Sequence, residues 1–118
     1  VDINERGISI VDSGGKENIP FFIKIISAFG IPFVVLHDED RNANNYNTYH
    51  NGPNGLNKKI EQSLPSNDLV FKMDPDFEGI FQLSQKSILE ARNKLKSLTS
   101  KNQIPQVLQN AITKLLAI

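Results

Sequence analysis

The chain has 118 residues, a formal net charge of zero from 13 basic and 13 acidic residues, and no cysteine. The lack of cysteine excludes disulfides and thiolate metal sites, and it fits the reducing cytoplasm. Zero net charge excludes an overall basic field for nucleic acid, so any DNA binding must be local or come from another domain. No apolar stretch reaches the ~18 residues that span a bilayer, so we expect a soluble cytoplasmic protein with no membrane partner.

The first forty residues predict a strand, a helix and a second strand, which together make a βαβ unit. Residues 8–11 are β-branched and weakly alternating, and a Gly-Gly turn follows them. Apolar residues at helical spacing follow Asn18, the predicted N-cap, and the helix is expected to end at Gly30. The apolar run 33–36 then predicts a strand that is buried on both faces.

The rest of the chain predicts a loop, a helix, a third strand and two C-terminal helices. Six of the fourteen residues in loop 41–54 are asparagine, so we expect a disordered surface excursion, although its amides and tyrosines could contact DNA. A narrow apolar stripe marks a helix over 56–64, and residues 69–73 form a strand. Two amphipathic helices follow, over 88–98 and 107–116. The expected fold class is therefore α/β, with three layers, a small and mainly parallel sheet, and C-terminal helices.

Acidic residues follow two of the predicted strands at the point where each strand ends. If the backbone stays extended, Asp38 and Asp40 leave one face of the sheet while Glu39 points away. Glu78 follows the next strand, and the carboxyl ends of parallel strands meet at one edge of a sheet. Clustered carboxylates repel one another unless a cation neutralises them, and oxygen ligands favour magnesium, manganese or calcium. The open alternative is a solvated acidic turn.

Other polar residues admit both a functional and a structural interpretation. Asp74 and Asp76 are expected to form a turn with an N-cap role. The Gly-Gly-Lys turn at 14–16 looks superficially like a phosphate cradle, but a tight turn that needs positive φ is favoured. His37 and His50 could be ligands or bases, although neither has a partner histidine at metal spacing.

Residues 7–20 and 29–40 together resemble the TOPRIM domain of the OLD (overcoming lysogenisation defect) family, whose members are ATP-dependent endonucleases. The resemblance lies in the succession of a Gly-Gly-Lys turn, a helix, Gly-Ile-Pro, an apolar strand and Asp-x-Asp. Residues 76–79 are similar to the later acidic motif of the same family. Lys86 falls where a downstream basic residue is often found, at the start of a helix where a cation could meet a phosphate.

The resemblance implies a TOPRIM fold and cleavage of DNA by a two-metal mechanism. It assigns Asp38, Asp40 and Glu78 as ligands of Mg²⁺ or Mn²⁺, and Lys86 as a group that neutralises charge on the phosphoryl oxygens. It also implies an ATPase domain elsewhere in the parent protein. The glutamate that ends the first TOPRIM strand has no counterpart before Ile8, so we expect residues 1–118 to form one truncated domain with little nuclease activity alone.

The alternative function is a non-enzymatic α/β module for interaction or dimerisation. A broad apolar stripe on the last helix could cover a partner as easily as the core of its own domain. A sheet edge left open by a missing strand would also favour pairing with a second copy of the chain.

Overall fold

A computed structural model describes residues 7–83, 88–98 and 103–118 of the chain. Within these ranges the regular elements alternate between helices and short strands. In chain order they are α1 Ile19–Ala28, β1 Val35–Asp38, α2 Leu56–Ser63, β2 Val70–Met73, α3 Phe77–Ile80, α4 Ile88–Ser97 and α5 Gln106–Ala117. Short helical turns occupy Lys16–Asn18, Tyr46–His50 and Asn67–Leu69. In the described part of the chain, no helix is long and apolar enough to cross a membrane.

The sheet consists of β1 and β2, which run parallel and are connected through α2. Their register pairs Val35 with Val70 and ends with Asp38 opposite Met73. A parallel pair requires such a crossover connection, because the chain must return to the same end of the sheet. The small parallel sheet and the C-terminal helices confirm the predicted α/β class and are consistent with a TOPRIM-like fold.

The hydrophobic core lies between α1, α2 and one face of the sheet. Ile19 and Ile23 of α1 pack with Ile60 of α2, which is completely buried. Each such side chain contributes about 1.5–3 kcal/mol on burial. Partly buried apolar residues surround the cluster, namely Phe33, Val35, Leu64 and Val70. Helix α5 lies against β2, and its Ala111 is buried.

The strand predicted over residues 8–11 is wrong. This segment is not paired with another strand in the described structure, and Ile10 and Val11 are 84% and 59% exposed. β-branched composition favours extended backbone, but a strand also needs a neighbouring chain to accept its hydrogen bonds. The βαβ unit therefore lies at β1–α2–β2 rather than in the first forty residues, and the described sheet has two strands instead of three.

The predicted limits of α1 are confirmed. Gly14 and Gly15 adopt φ of 75° and 152°, so the Gly-Gly turn does need positive φ, and Gly30 at φ 68° ends the helix. Asn18 precedes α1 as predicted, but its side chain makes no capping hydrogen bond; its Nδ2 donates to the carbonyl of Ser13 at 3.1 Å. Lys86, for which the resemblance implies a role, lies outside the described residues.

Candidate metal centre

The carboxyl ends of β1 and β2 are held together beyond the last strand residues. The N–H of Glu39 donates to the carbonyl of Met73 at 2.9 Å. The N–H groups of Asp40 and Arg41 both donate to the carbonyl of Pro75, at 2.8 and 3.3 Å, and the Asp74–Pro75 peptide is cis. These bonds bring the two acidic segments to one edge of the sheet, as the sequence predicts.

Two of the acids at this edge have structural partners. Arg41 donates to both carboxylate oxygens of Asp74, at 2.8 and 2.7 Å, and this contact holds the pKa of Asp74 below its usual value. Asp76 precedes α3 and accepts the N–H of Gly79 at 2.7 Å as an N-cap. The turn and N-cap roles predicted for these two aspartates are therefore confirmed.

The remaining acids at this edge influence Asp38 electrostatically. Its Oδ1 accepts the backbone N–H of Phe77 at 2.9 Å, which joins the end of β1 to the first turn of α3. Burial raises the pKa of Asp38, and the negative charges of Asp40, Glu78 and Asp76 raise it further, while the Phe77 N–H opposes them. The Oε2 atom of Glu78 is buried and has no hydrogen-bond partner in the described structure. A cation would stabilise such a group of oxygens.

Asp40 does not lie beside Asp38 in the extended arrangement considered above. Its φ is 62°, so the extended backbone ends before it. Its Oδ2 lies 3.0 Å from the Nζ of Lys16 and 3.4 Å from the Nδ1 of His50. Those two nitrogens are 3.1 Å apart. Asp40 therefore belongs to a cluster with Lys16 and His50, and its negative charge still raises the pKa of Asp38.

The two histidines of the chain lie in different surroundings. His37 is only 4% exposed, and its Nδ1–H donates to the carbonyl of Asp38 at 2.9 Å, because a carbonyl can only accept. Burial lowers the pKa of His37, and burial together with the Lys16 ammonium lowers that of His50. Both imidazoles are therefore neutral at neutral pH, and His50 can accept a hydrogen bond from Lys16 through Nδ1.

Glu39 points to the opposite side of β1, as the strand alternation predicts. The hydroxyl of Tyr46 donates to its Oε1 at 2.5 Å, and the Nζ of Lys72 lies 3.8 Å from its Oε2. Asn57 of α2 donates to the Glu39 carbonyl at 3.3 Å. Tyr46 and His50 both come from loop 41–54, so the expectation of a disordered excursion is wrong: the loop packs against the centre.

The acids at this edge do not form a complete set of metal ligands within the described residues. In the described ranges, no three or more His, Cys, Asp or Glu side chains are grouped so that they could hold a metal ion. Asp38 and Glu78 nevertheless supply carboxylates from the two strand ends, and Mg²⁺ is commonly held by one or two carboxylates together with waters and phosphates. Asp40 has Lys16 as its nearest cation.

The ion pair of Lys16 with Asp40 was not predicted from the sequence. In the sequence this lysine is only part of a weak phosphate-binding motif. In the structure it pairs with Asp40, 24 positions later. Gly-Gly-Lys and Asp-x-Asp both belong to the family pattern that the sequence resembles. That pattern does not show how close the two motifs lie in the folded chain.

The comparisons with known proteins concern mainly the first third of the chain. Residues 1–40 match the sequence model of the family described as "Overcoming lysogenization defect protein-like, TOPRIM domain". Over 40 residues the chain is 48% identical to an "OLD nuclease" of Thermus scotoductus (strain ATCC 700910 / SA-01). The aligned segment covers 34% of this chain and 8% of that protein. No solved structure matches the chain. Residues 1–40, which include Lys16, Asp38 and Asp40, are thus similar to OLD-like TOPRIM sequence, and the resemblance is confirmed over this segment.

Proposed function

We propose that this chain is a TOPRIM-like part of a metal-dependent DNA endonuclease, and that its cation centre lies at the ends of β1 and β2. The observation that carries the proposal is the meeting of Asp38 with the segment that contains Glu78, through the 2.9 Å bond from the Phe77 N–H. The similarity to an OLD nuclease supports phosphodiester hydrolysis as the reaction, and DNA as the substrate.

Asp38 and Glu78 are the residues that would hold Mg²⁺ or Mn²⁺. The Phe77 N–H occupies one oxygen of Asp38 and so orients the carboxylate. The buried Oε2 of Glu78, unpartnered within the described structure, is the second ligand atom that we assign. When bound, a divalent cation polarises the phosphodiester and lowers the pKa of a water. The resemblance also assigns Asp40 as a ligand, and Lys86, outside the described residues, as the group that neutralises phosphoryl charge.

We further propose that the isolated chain has little nuclease activity. Two-metal hydrolysis needs ligands for two cations about 3.5–4 Å apart, whereas Asp38 and Glu78 account for one. The aligned segment is 8% of the OLD nuclease, so the parent protein is the unit to which we assign cleavage. ATP would act through a separate domain of that parent, and the lack of cysteine fits a cytoplasmic location.

Calorimetric titration with Mn²⁺ tests the centre. We expect Asp38→Asn and Glu78→Gln each to weaken binding by about tenfold or more, because each removes a charged ligand. Asp74→Asn is the matched control: it removes an acid at the same edge, but one that is paired with Arg41. Equal Mn²⁺ affinity in wild type and Asp38→Asn would refute the site.

A plasmid-cleavage assay with millimolar Mn²⁺ tests the second part of the proposal. The isolated chain should leave supercoiled plasmid intact over the period in which a complete OLD nuclease nicks it. Robust cleavage that disappears in Asp38→Ala would confirm the metal site and contradict the proposed inactivity of the chain.

The second candidate function, an interaction or dimerisation module, is favoured by the outer face of α1. Phe21 and Ile25 lie four residues apart on this helix, and Phe29 follows at its C-cap; they are 63%, 39% and 77% exposed. Such an apolar stripe marks contact surfaces on many proteins. Sedimentation velocity of the wild-type chain and of Phe21→Ser/Phe29→Ser distinguishes the candidates: a dimer that the double variant abolishes supports a module, and a monomer in both opposes dimerisation.

A further inference from the structure

Loop 41–54 presents a neutral, polar surface beside the end of β1. Six of its fourteen residues are asparagine, and it contains neither aspartate nor glutamate. Its one arginine, Arg41, is paired with Asp74. Most of the asparagines are exposed, namely Asn42, Asn44, Asn45, Asn47 and Asn54. The outer face of the loop therefore offers amide groups without a free charge.

The usual reasons for asparagine in a loop do not apply to these residues. Asparagine favours turns because its side chain bonds to the nearby backbone and because it tolerates positive φ. Within the described residues, none of the six asparagine side chains makes a hydrogen bond, and none of the six adopts positive φ. Asn45 stands at the N-cap of the turn 46–50, but its side chain does not cap it. The amides are therefore free to bind a ligand.

The backbone of this loop is nevertheless held in one shape. The hydroxyl of Tyr46 donates to Glu39 at 2.5 Å, and the Nδ1 of His50 lies 3.1 Å from the Nζ of Lys16. A Cβ atom at Gly55 would lie 2.5 Å from the carbonyl oxygen of His50, so the chain folds tightly back on the turn. A surface that is already ordered loses little conformational entropy on binding.

Tyr49 lies on this surface between the two inward-facing rings of the loop. Its side chain is 49% exposed, whereas Tyr46 and His50 contact residues of the domain. Its ring packs edge to face against the His50 imidazole, with centroids 5.1 Å apart and an interplanar angle of 84°. An exposed aromatic ring can stack on an unpaired base, and an asparagine amide can donate to and accept from the edge of a base.

We propose that the outer face of loop 41–54 binds a single-stranded segment of DNA, with Tyr49 stacking on a base and the exposed asparagine amides bonding to base edges. This inference rests on the proposed function for the choice of DNA as the ligand. Because the loop is bonded to Glu39 and Lys16, the strand would lie beside the end of β1. The contact is uncharged, so its contribution should not change with salt. A protein is the other partner that surfaces rich in tyrosine and asparagine bind.

Fluorescence anisotropy of the full chain, with chelator present, tests the inference without the cation centre. The probes are a labelled oligodeoxyadenosine of about 12 nucleotides and an abasic strand of the same length. We expect the wild type to bind the adenine strand about tenfold more tightly than the abasic strand. Tyr49→Ala should lose this preference equally at about 50 and 200 mM salt, because the ring is uncharged, and Tyr49→Phe should keep it.

A second pair of variants tests the amides. Asn44→Ala/Asn47→Ala should weaken binding of the adenine strand about fivefold. Asn93→Ala removes an exposed asparagine of α4 and is the matched control, which should bind like the wild type. The double variant also tests the loop where Tyr49→Ala does not fold, which circular dichroism shows. Equal binding of the two strands by the wild type, or loop variants that bind like the wild type, would overturn the inference.

Mn²⁺ titration of the same proteins separates this inference from the proposed function. Asp38→Asn should lose Mn²⁺ and keep the oligonucleotide. A wild type that binds the adenine strand through the loop but no Mn²⁺ contradicts the cation centre alone. A wild type that binds Mn²⁺ but neither strand overturns the inference alone and leaves the loop to a protein partner.

Discussion

Asp38 and Glu39 are adjacent acids at the end of β1 that lie in opposite surroundings. Glu39 is 6% exposed on the covered side, where Tyr46 donates to it and Lys72 is nearby. Asp38 accepts one backbone N–H and is surrounded by further acids. The two neighbouring acids therefore have different partners, and under our proposal only Asp38 is available to a ligand.

The face of the sheet that packs on the core is apolar at the start of the strands and polar at their end. At the start of the strands Val35 and Val70 pack on the isoleucine core. At the end, the register places His37 opposite Lys72, and Lys72 donates to Glu61 of α2 at 2.7 Å. Buried polar groups lower stability unless they are paired, and at this end the Nε2 of His37, the Oε2 of Glu39 and the Oδ1 of Asn57 are buried without a hydrogen-bond partner in the described structure.

The largest effect should come from Glu39. We expect Glu39→Ala to lower the free energy of unfolding by about 2–4 kcal/mol, because it leaves the Tyr46 hydroxyl without its acceptor and a cavity under loop 41–54. Urea denaturation followed by circular dichroism measures the change.

Glu39→Gln is the matched control for this prediction. The amide preserves the volume and can still accept from Tyr46, so it should cost less than half as much as alanine. If Glu39→Ala is as stable as wild type, or if it abolishes Mn²⁺ binding without a loss of stability, the division of roles between the two acids is wrong.

A smaller loss should follow removal of the Tyr46 hydroxyl alone. Tyr46→Phe deletes the 2.5 Å bond to Glu39 and should cost about 1.5 kcal/mol, the lower end of the range for a hydrogen bond to a charged group. The hydrogen bond to Glu39 also raises the pKa of Tyr46, so titration of the phenol by ultraviolet absorbance should show a high midpoint that Glu39→Gln lowers. Tyr49→Phe is the control, because Tyr49 is largely exposed. Equal losses in both tyrosine variants would refute the specific contact.

The sequence predicted those parts of the fold that depend on local patterns. Helices α1 and α2 and strand β2 lie close to their predicted positions, because apolar spacing, proline and glycine act over a few residues. The strand over 8–11 was predicted from the same kind of local preference. It is absent because a strand depends on a neighbour, which composition cannot supply.

The candidate site was predictable in outline only. Two acidic strand ends at one edge follow from parallel pairing, and the structure brings Asp38 to the segment of Glu78. The ion pair of Lys16 with Asp40 joins residues 24 positions apart, and the positive φ of Asp40 has no local sequence pattern behind it. Such contacts depend on the packing of the whole domain.

The smallest effect concerns Asp38 and appears in the pH dependence of stability. Burial and neighbouring acids raise the pKa of Asp38 above its ordinary value of 3.8, so folding favours the protonated form. Well below pH 3.8, Asp38 is protonated in both the folded and the unfolded chain, and it does not lower the free energy of unfolding. As pH rises, the unfolded chain releases the proton first, so stability is lost until the pH passes the raised pKa in the folded chain.

Asp38→Asn removes this titration while keeping an oxygen for the Phe77 N–H. In the absence of divalent cations, the variant should match the wild type below pH 3.8 and become the more stable protein as pH rises. Acids with lowered pKa values, such as Asp74 and Glu61, lose stability on acidification equally in both proteins and cancel in the difference. Urea midpoints at matched pH values measure that difference. A wild type that stays the more stable protein at neutral pH would mean that Asp38, like Glu39, is satisfied by the fold itself, and that no cation is needed to balance it.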